Sequence, residues 1–588
     1  MRCARNLVVS VVPTMSRVLR ERRPRKKRRF RNFLMLGFLL TTLAVVYLFL
    51  FPPASNEKVQ YPLPEHPIVF ENAIYSSSAQ ASNAGLLVPL DFVKDALRLP
   101  MTYDTASDSI LFTTRHHIYQ FPVAKAQYIK DGQLVETPST VVEKHGDSLF
   151  IRPSILPEED IPFVFTSPEN SDALFIYHVE GTVANVSVEE ENVDQRRLRT
   201  GTSLQNPYVA EALPGERLFL INEGPSFSEV RMPSGISGYL SNDVLTTPET
   251  TTITSAYQQE ERFTPGVASE EVINMTWEAV YSANPDTTTI PPMPGVNVVS
   301  PTWFALETEA GDLSSKASTS YMNWANDRGY EVWAVVTNDF DPDKTAAALQ
   351  AYSTRTHMVD QLVAFAKEYQ LDGINIDFEN VNEEDGPLVT QFVRELTPRL
   401  HKEGFTVSMD ITFISNSGNW SAFYERDKLT SVVDYMVVMA YDEHWGSSPE
   451  AGSVSSLPWV EGHLQRLLEV VPNERLILGI PFYARIWEEQ TTANGNIEVS
   501  SSAHSMDGIE AWMEERGLTS TYDDQTGQDY AEYQEEGTHY KVWMENETSL
   551  QKRVDLMHAY ELAGVASWTR SLGSDEIWQV LENALNEE

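Results

Sequence analysis

Cysteine is almost missing from this chain: of 588 residues, Cys3 is the only one. A disulfide framework is thereby excluded, and each domain must be held by its own apolar core. Tryptophan is missing from the first 276 residues; all 12 fall at or after Trp277. Positive charge is scarce too, with 44 Lys and Arg against 84 Asp and Glu and a net charge of −40. About twelve of those bases crowd into Arg2–Arg31 beside a single acid, Glu21, so the rest of the chain is more acidic still. Such acidity excludes nucleic acid as a partner for that portion and suits work at high salt or high pH. There is no phosphate-binding glycine loop and no dinucleotide fingerprint. His116, His117 and His145 do not fall at metal-ligand spacing. No metal and no cofactor is expected.

What is present begins with topology. Residues 1–32 form a basic tail, and FLMLGFLLTTLAVVYLFLF, residues 33–51, follows as an uncharged run long enough to span a bilayer. The cluster RRPRKKRRFR sets the N-terminus on the cytoplasmic side. A cleaved signal peptide is the competing reading, but the run is long for one and FPPASNEK offers no small-x-small cleavage site. The expectation is a single-pass anchor in the cell membrane with everything after Phe51 outside, and a monomer.

Residues 60–180 contain a faint repeat, LLVPLDFVKDALRLPMTYDTASDSILF from Leu86 and LFIRPSILPEEDIPFVFTSPENSDALFI from Leu149. Each copy reads as strand, proline, short helix, acidic turn and strand. It resembles the α+β stalk module named from copper amine oxidase N-termini, without implying copper. Residues 181–248 read as short strands with turn punctuation and resemble a small all-β SH3-like barrel of bacteria, with Arg199, Gly215 and Gly238-Tyr239 in that family's positions. That resemblance implies wall-peptide binding. Thr-rich 249–264 reads as a linker.

Residues 265–588 alternate apolar strands with helical stretches. Strands are expected at INMTWEAVY, GVNVVSPTWFAL, EVWAVVTN, DGINIDFE, TVSMDIT, YMVVMAYD, LILGIPFY and GVASWT, eight in all. The fold class is therefore α/β, a (β/α)8 TIM barrel. The long gap before the last strand, 484–561, predicts a small α+β insertion between strands 7 and 8.

The segment LDGINIDFEN carries the chemistry. Strand alternation sends Ile374, Ile376 and Phe378 outward and Asn375, Asp377 and Glu379 into the barrel. Inward acids are costly unless a function uses them, and Glu379 comes last, at the C-terminal mouth where barrel enzymes act. The late tryptophans suit a saccharide cleft, since sugar C–H faces stack on indole.

This segment resembles the D-G-x-D-x-D-x-E signature of glycoside hydrolase family 18. Asp372, Gly373, Asp377 and Glu379 fit, and Asn375 departs where most members have Asp. INIDFEN is closest to the branch of spore-cortex-lytic and bacterial wall N-acetylglucosaminidases. MAYDEHW from Met439, SSLPWVE from Ser455, GIPFYAR from Gly479 and GVASW from Gly564 support the resemblance over about 320 residues.

The resemblance implies a retaining, substrate-assisted hydrolase of N-acetylglucosamine polymers, peptidoglycan glycan strands or chitin-like chains. Glu379 is the proton donor. Asp377 orients the acetamido group whose oxygen attacks the anomeric carbon, and Tyr441 donates its hydroxyl to that oxygen. Asn375, Met439, Asp442, Trp568, Trp277 and Trp303 are the expected substrate-binding residues. Trp445, Tyr483, Arg485 and His444 are divided between cleft lining and structural roles. A lectin-like barrel that binds such polymers without cutting is the alternative. The kept Glu379 opposes it.

Overall fold

The structure is a computed structural model that describes residues 26–50, 52–169, 171–257, 272–492 and 494–587. The basic tail before Lys26, Phe51 and the later part of the expected linker lie outside the described residues. Two compact units are present, one made of residues 1–76 with 166–254, the other of 77–165 with 255–588. The stretch 60–180, read from sequence as one module, is thus divided between them.

In the first unit, Lys26–Leu50 is helical, and its Phe30–Leu50 portion, with mean hydropathy 2.4, is long and apolar enough to cross a membrane. Strand Pro67–Phe70 runs parallel to Leu174–His178. A seven-stranded antiparallel sheet spans Thr182 to Thr252. Its edge strand, Glu249–Thr252, lies in the stretch expected to be linker and pairs with Thr182–Ser187. Arg199 is fully buried, and its guanidinium donates to the carbonyls of Ser55, Asn206 and Asp194 at 2.5, 3.1 and 2.7 Å.

In the second unit, residues 77–165 form two small antiparallel sheets. The first repeat copy has a helix at Leu90–Asp95, whereas the second has only 3₁₀ turns at Pro153–Ile155 and Glu158–Asp160. The prolines of the second copy cannot donate the bonds a longer helix needs.

The rest of that unit is the barrel. Its strands are β1 (Ile273–Glu278), β2 (Val298–Leu306), β3 (Glu331–Thr337), β4 (Gly373–Asp377), β5 (Thr406–Ile411), β6 (Tyr435–Met439), β7 (Leu476–Pro481) and β8 (Gly564–Trp568). All pair in parallel, and β1 pairs with both β2 and β8, closing the sheet. Two apolar layers hold it. Val299, Ile374, Ile376, Phe378 and Met409 pack outward against the helices, while Met275, Trp277, Trp333, Tyr435 and Val437 fill the interior. Gly373 permits the close approach of β5, because a Cβ there would meet the Thr406 carbonyl oxygen and the Trp333 ring at 2.8 Å. The crossover from β1 to β2 carries only a 3₁₀ turn, Thr287–Thr289, rather than the α-helix of an ideal repeat.

The insertion is shorter than expected. A five-stranded antiparallel sheet and one helix occupy Tyr483 to Met544. Glu547–Ala559, included in the insertion from sequence, is the barrel's own helix before β8 and packs on Ile577–Leu585.

Candidate active site

The outward alternation of Ile374, Ile376 and Phe378 leaves the next inward positions to Asn375 and Asp377. Strand β4 ends at Asp377, so Glu379 lies two residues past it, on the turn at the C-terminal mouth. That turn is fixed from three sides. Asn338, fully buried at the end of β3, accepts the Glu379 N–H at 3.0 Å and donates to the Glu379 carbonyl at 2.7 Å. Tyr424 donates its hydroxyl to the Phe378 carbonyl at 2.8 Å. Asn380 takes the left-handed conformation, φ 51°, and its amide reaches the Phe340 carbonyl at 2.8 Å.

Beneath the acids lies a buried polar layer. Asn375 donates from Nδ2 to Ser408 Oγ at 2.9 Å and to Asp410 Oδ1 at 2.8 Å. Its Oδ1 accepts the Trp277 indole N–H at 3.2 Å. Trp277 is 1% exposed and edge-on to Trp568, 5.7 Å between ring centroids. It supports the site from below instead of lining an open cleft. Trp568, half-buried at the end of β8, is the indole above it, followed by a cis peptide to Thr569.

Electrostatics set the protonation. Burial raises Asp377 to about 7. Burial first, then the charges of Asp377 and Asp442, raise Glu379 well above the ordinary carboxylate range. Both effects favour the protonated form of Glu379, the form a general acid requires. The Asp377 Oδ1 is buried and has no hydrogen-bond partner among the described residues. A buried carboxyl oxygen of this kind is costly until something donates to it. Tyr441 comes from the turn after β6, its hydroxyl kept protonated by burial and by the charge of Asp410. Met439 ends β6, half-buried, and Asp442 is exposed in the left-handed conformation, φ 61°, accepting the Tyr483 hydroxyl. Tyr483 thus orients Asp442.

Other expectations divide. Trp303 is 1% exposed, sits in the outer helix-facing core against Tyr321, and donates its N–H to Asn284 at 2.7 Å. It faces away from the barrel interior, where Trp277 lies, and does not line the site. His444 is structural. Its Nδ1 meets the Ser453 carbonyl at 2.8 Å and its ring lies on Gly452, where any Cβ would collide at 2.4 Å. Asp372, the first acid of the signature, sits at the opposite end of β4 and accepts the Val332 N–H at 2.8 Å. Trp445 is 52% exposed on the loop after β6. Sequence reasoning missed Asp410, Asn338, and the exposed pair Phe340 and Trp420, whose rings lie 6.4 Å apart on loops after β3 and β5. Among the described residues no cluster of His, Cys, Asp or Glu is arranged to hold a metal.

Residues 292–573 match the family model described as glycosyl hydrolases family 18. An uncharacterised glycosylase of Bacillus subtilis, YvbX, is 27% identical over 298 residues, covering 49% of this chain and 84% of that protein. The cortical fragment-lytic enzyme of Bacillus subtilis is 23% identical over 287 residues, 47% of this chain and 65% of that one. A crystal structure of a chitinase from Chromobacterium violaceum aligns over 54% of this chain and all of its own, at 22% identity and a TM-score of 0.49.

Proposed function

Taking as premise that the C-terminal barrel is a family 18 glycoside hydrolase domain, we propose that it cleaves N-acetylglucosamine-containing glycan strands by substrate-assisted catalysis, at a membrane surface. The observation that carries this reading is the pair of acids at the end of β4: an Asp377 whose buried Oδ1 lacks a donor among the described residues, and, two residues on, a Glu379 whose protonated form burial favours. The acetamido N–H of a bound sugar supplies that donor. Held there, the acetamido carbonyl oxygen attacks the anomeric carbon and Glu379 protonates the leaving glycosidic oxygen. The oxazolinium ion so formed is opened by water as Glu379 takes a proton back, and configuration is retained. Tyr441 donates to the acetamido oxygen, and Trp568 is the platform for the reacting sugar. This departs from the two-carboxylate template, in which an enzyme carboxylate or an activated water attacks.

The substrate is the peptidoglycan glycan strand. The cortical fragment-lytic relative and the apolar helix Phe30–Leu50, which suits an enzyme fixed beside its own wall, support this choice. The exposed aromatics Phe340, Trp420 and Trp445 suit stacking on further sugar rings.

The test is digestion of purified peptidoglycan and of chitin oligomers, with product masses, by wild type and Glu379→Gln. Muropeptides ending in reducing N-acetylglucosamine, with a loss of about 10³-fold or more in kcat for the variant, are expected. Cleavage of chitin oligomers alone overturns the wall assignment. Binding without cleavage by wild type overturns the enzymatic one.

A further inference from the structure

Asp410 is a third carboxyl in the barrel interior, 2% exposed on β5. Strands β4 and β5 pair Asn375 with Ser408 and Ile376 with Met409, so the next step of the register stands Asp410 beside Asp377. Every strong contact made to it is neutral. Asn375 Nδ2 donates to its Oδ1 at 2.8 Å, and the Trp277 N–H on β1 also bears on it. The other titratable groups facing it are Asp377 from β4, Glu379 from the turn after it, Tyr441 from the turn after β6 and Tyr424 from the loop after β5. No cation among the described residues pairs with it. Two carboxylates side by side in such surroundings cannot both ionise, and the side chain bonded to Asp410, Asn375, does not titrate.

We propose that Asp410 is a positioning residue that shares one proton with Asp377, taking it when a sugar acetamide binds. Asn375 pins Oδ1 of Asp410, which leaves Oδ2 to carry the proton. On binding, the O–H of Asp377 breaks and that of Asp410 forms; Asp377 becomes the anion that accepts the acetamido N–H. Release of product reverses the transfer, so no net proton is consumed and Glu379 keeps its own proton for the leaving oxygen. Burial first, then the charge of Asp377, push Asp410 well above the ordinary carboxylate range, so it can take the proton once Asp377 is the anion. The inference rests on the substrate-assisted reading above.

The experiment compares pH–rate profiles on the glycan that wild type cleaves for Asp410→Asn, Asn375→Asp and the exchange variant Asn375→Asp/Asp410→Asn, with a thermal melt for each. In the active form Asp410 is the neutral partner whose O–H steadies the Asp377 anion, so Asp410→Asn is expected to move the acidic limb up by about one pH unit or more. The exchange variant, which restores a carboxyl beside Asp377, returns the limb toward wild type. A purely structural role would lower kcat equally at every pH. A folded, active Asp410→Asn with the wild-type limb overturns the inference alone, whereas a wild type that turns over no such glycan overturns the function and this inference together. Where Asp410→Asn does not fold, the exchange variant decides: a limb displaced from wild type overturns it.

Discussion

Asn338 grips the peptide of Glu379 at both ends, accepting its N–H at 3.0 Å and donating to its carbonyl at 2.7 Å. Asn338 is itself tied to Thr345 Oγ1 at 2.9 Å, which anchors the acid's backbone to the first helix after β3. Asn338→Ala frees the turn that aims Glu379 and leaves two polar backbone groups without partners. We expect kcat to fall about 10- to 100-fold, since a shift of about 1 Å at a reacting group has that scale. KM should change little, and stability should drop by about 1–3 kcal/mol. Steady-state kinetics with a denaturant melt check this; an unchanged kcat refutes the positioning role.

A second prediction concerns pH. Catalysis needs Glu379 protonated, so activity is lost as pH rises through its pKa. Burial raises that pKa most, and the Asp377 and Asp442 charges raise it further. Asp442→Asn removes one like charge and lowers it. The basic limb of the kcat profile should therefore move to lower pH, by roughly half to one unit for a partly exposed neighbour. A limb that stays in place, or moves up, shows that Asp442 does not act on the acid.

The main acids were legible because β4 combines a period-2 apolar face, Ile374 and Ile376, with polar Asn375 and Asp377 at the alternating positions, a combination that leaves little choice of face. Asp410 was not legible. In TVSMDIT it reads as one polar residue in a buried strand, and only the β4–β5 register sets it beside Asp377. Asn338 was hidden for the same reason, since its partner is a backbone 41 residues away. Trp303 was misassigned although a signal existed: it shares strand parity with Val299, which faces the helices. A register shift between Thr302 and Phe304 then turns Phe304 outward too. The insertion's far boundary was misjudged because polar Glu547–Ala559 carries little of the apolar stripe that marks a barrel helix.

Asp372 supplies a stability prediction. Burial, with the Glu331 charge adding to it, raises this carboxyl to about 6, overriding the opposing Val332 N–H bond. The unfolded value is about 3.9. A raised folded pKa means that the folded state binds the proton more tightly. The group's stabilising contribution is complete below about pH 3.9 and is lost as pH rises through about 6. Asp372→Asn keeps an acceptor for Val332 without the charge. Its Tm advantage over wild type should therefore be near zero at about pH 4 and positive at about pH 7. Melts across that range test it, and an advantage that shrinks with rising pH overturns it.

The last prediction concerns how residues 77–165 are fastened to the barrel helices within their unit. Arg355 makes a bidentate pair with Glu395, 2.9 Å on each arm, and its guanidinium lies 3.9 Å from Asp104, with all three side chains buried. Asp104 also accepts the Tyr352 N–H at 2.7 Å, and Thr102 donates to Gln391 at 2.9 Å. Arg355→Met strands two buried carboxyls and should cost about 3–5 kcal/mol. The double variant Arg355→Met/Glu395→Met removes both members of the main pair, and most of that loss should be recovered, because a buried ion pair gains little over well-packed apolar side chains. Glu395 is itself raised by burial despite its arginine, which marks the desolvation cost of keeping a charge there. A double variant as unstable as the single would mean that Asp104, still facing the vacated position, is the acid that Arg355 chiefly serves.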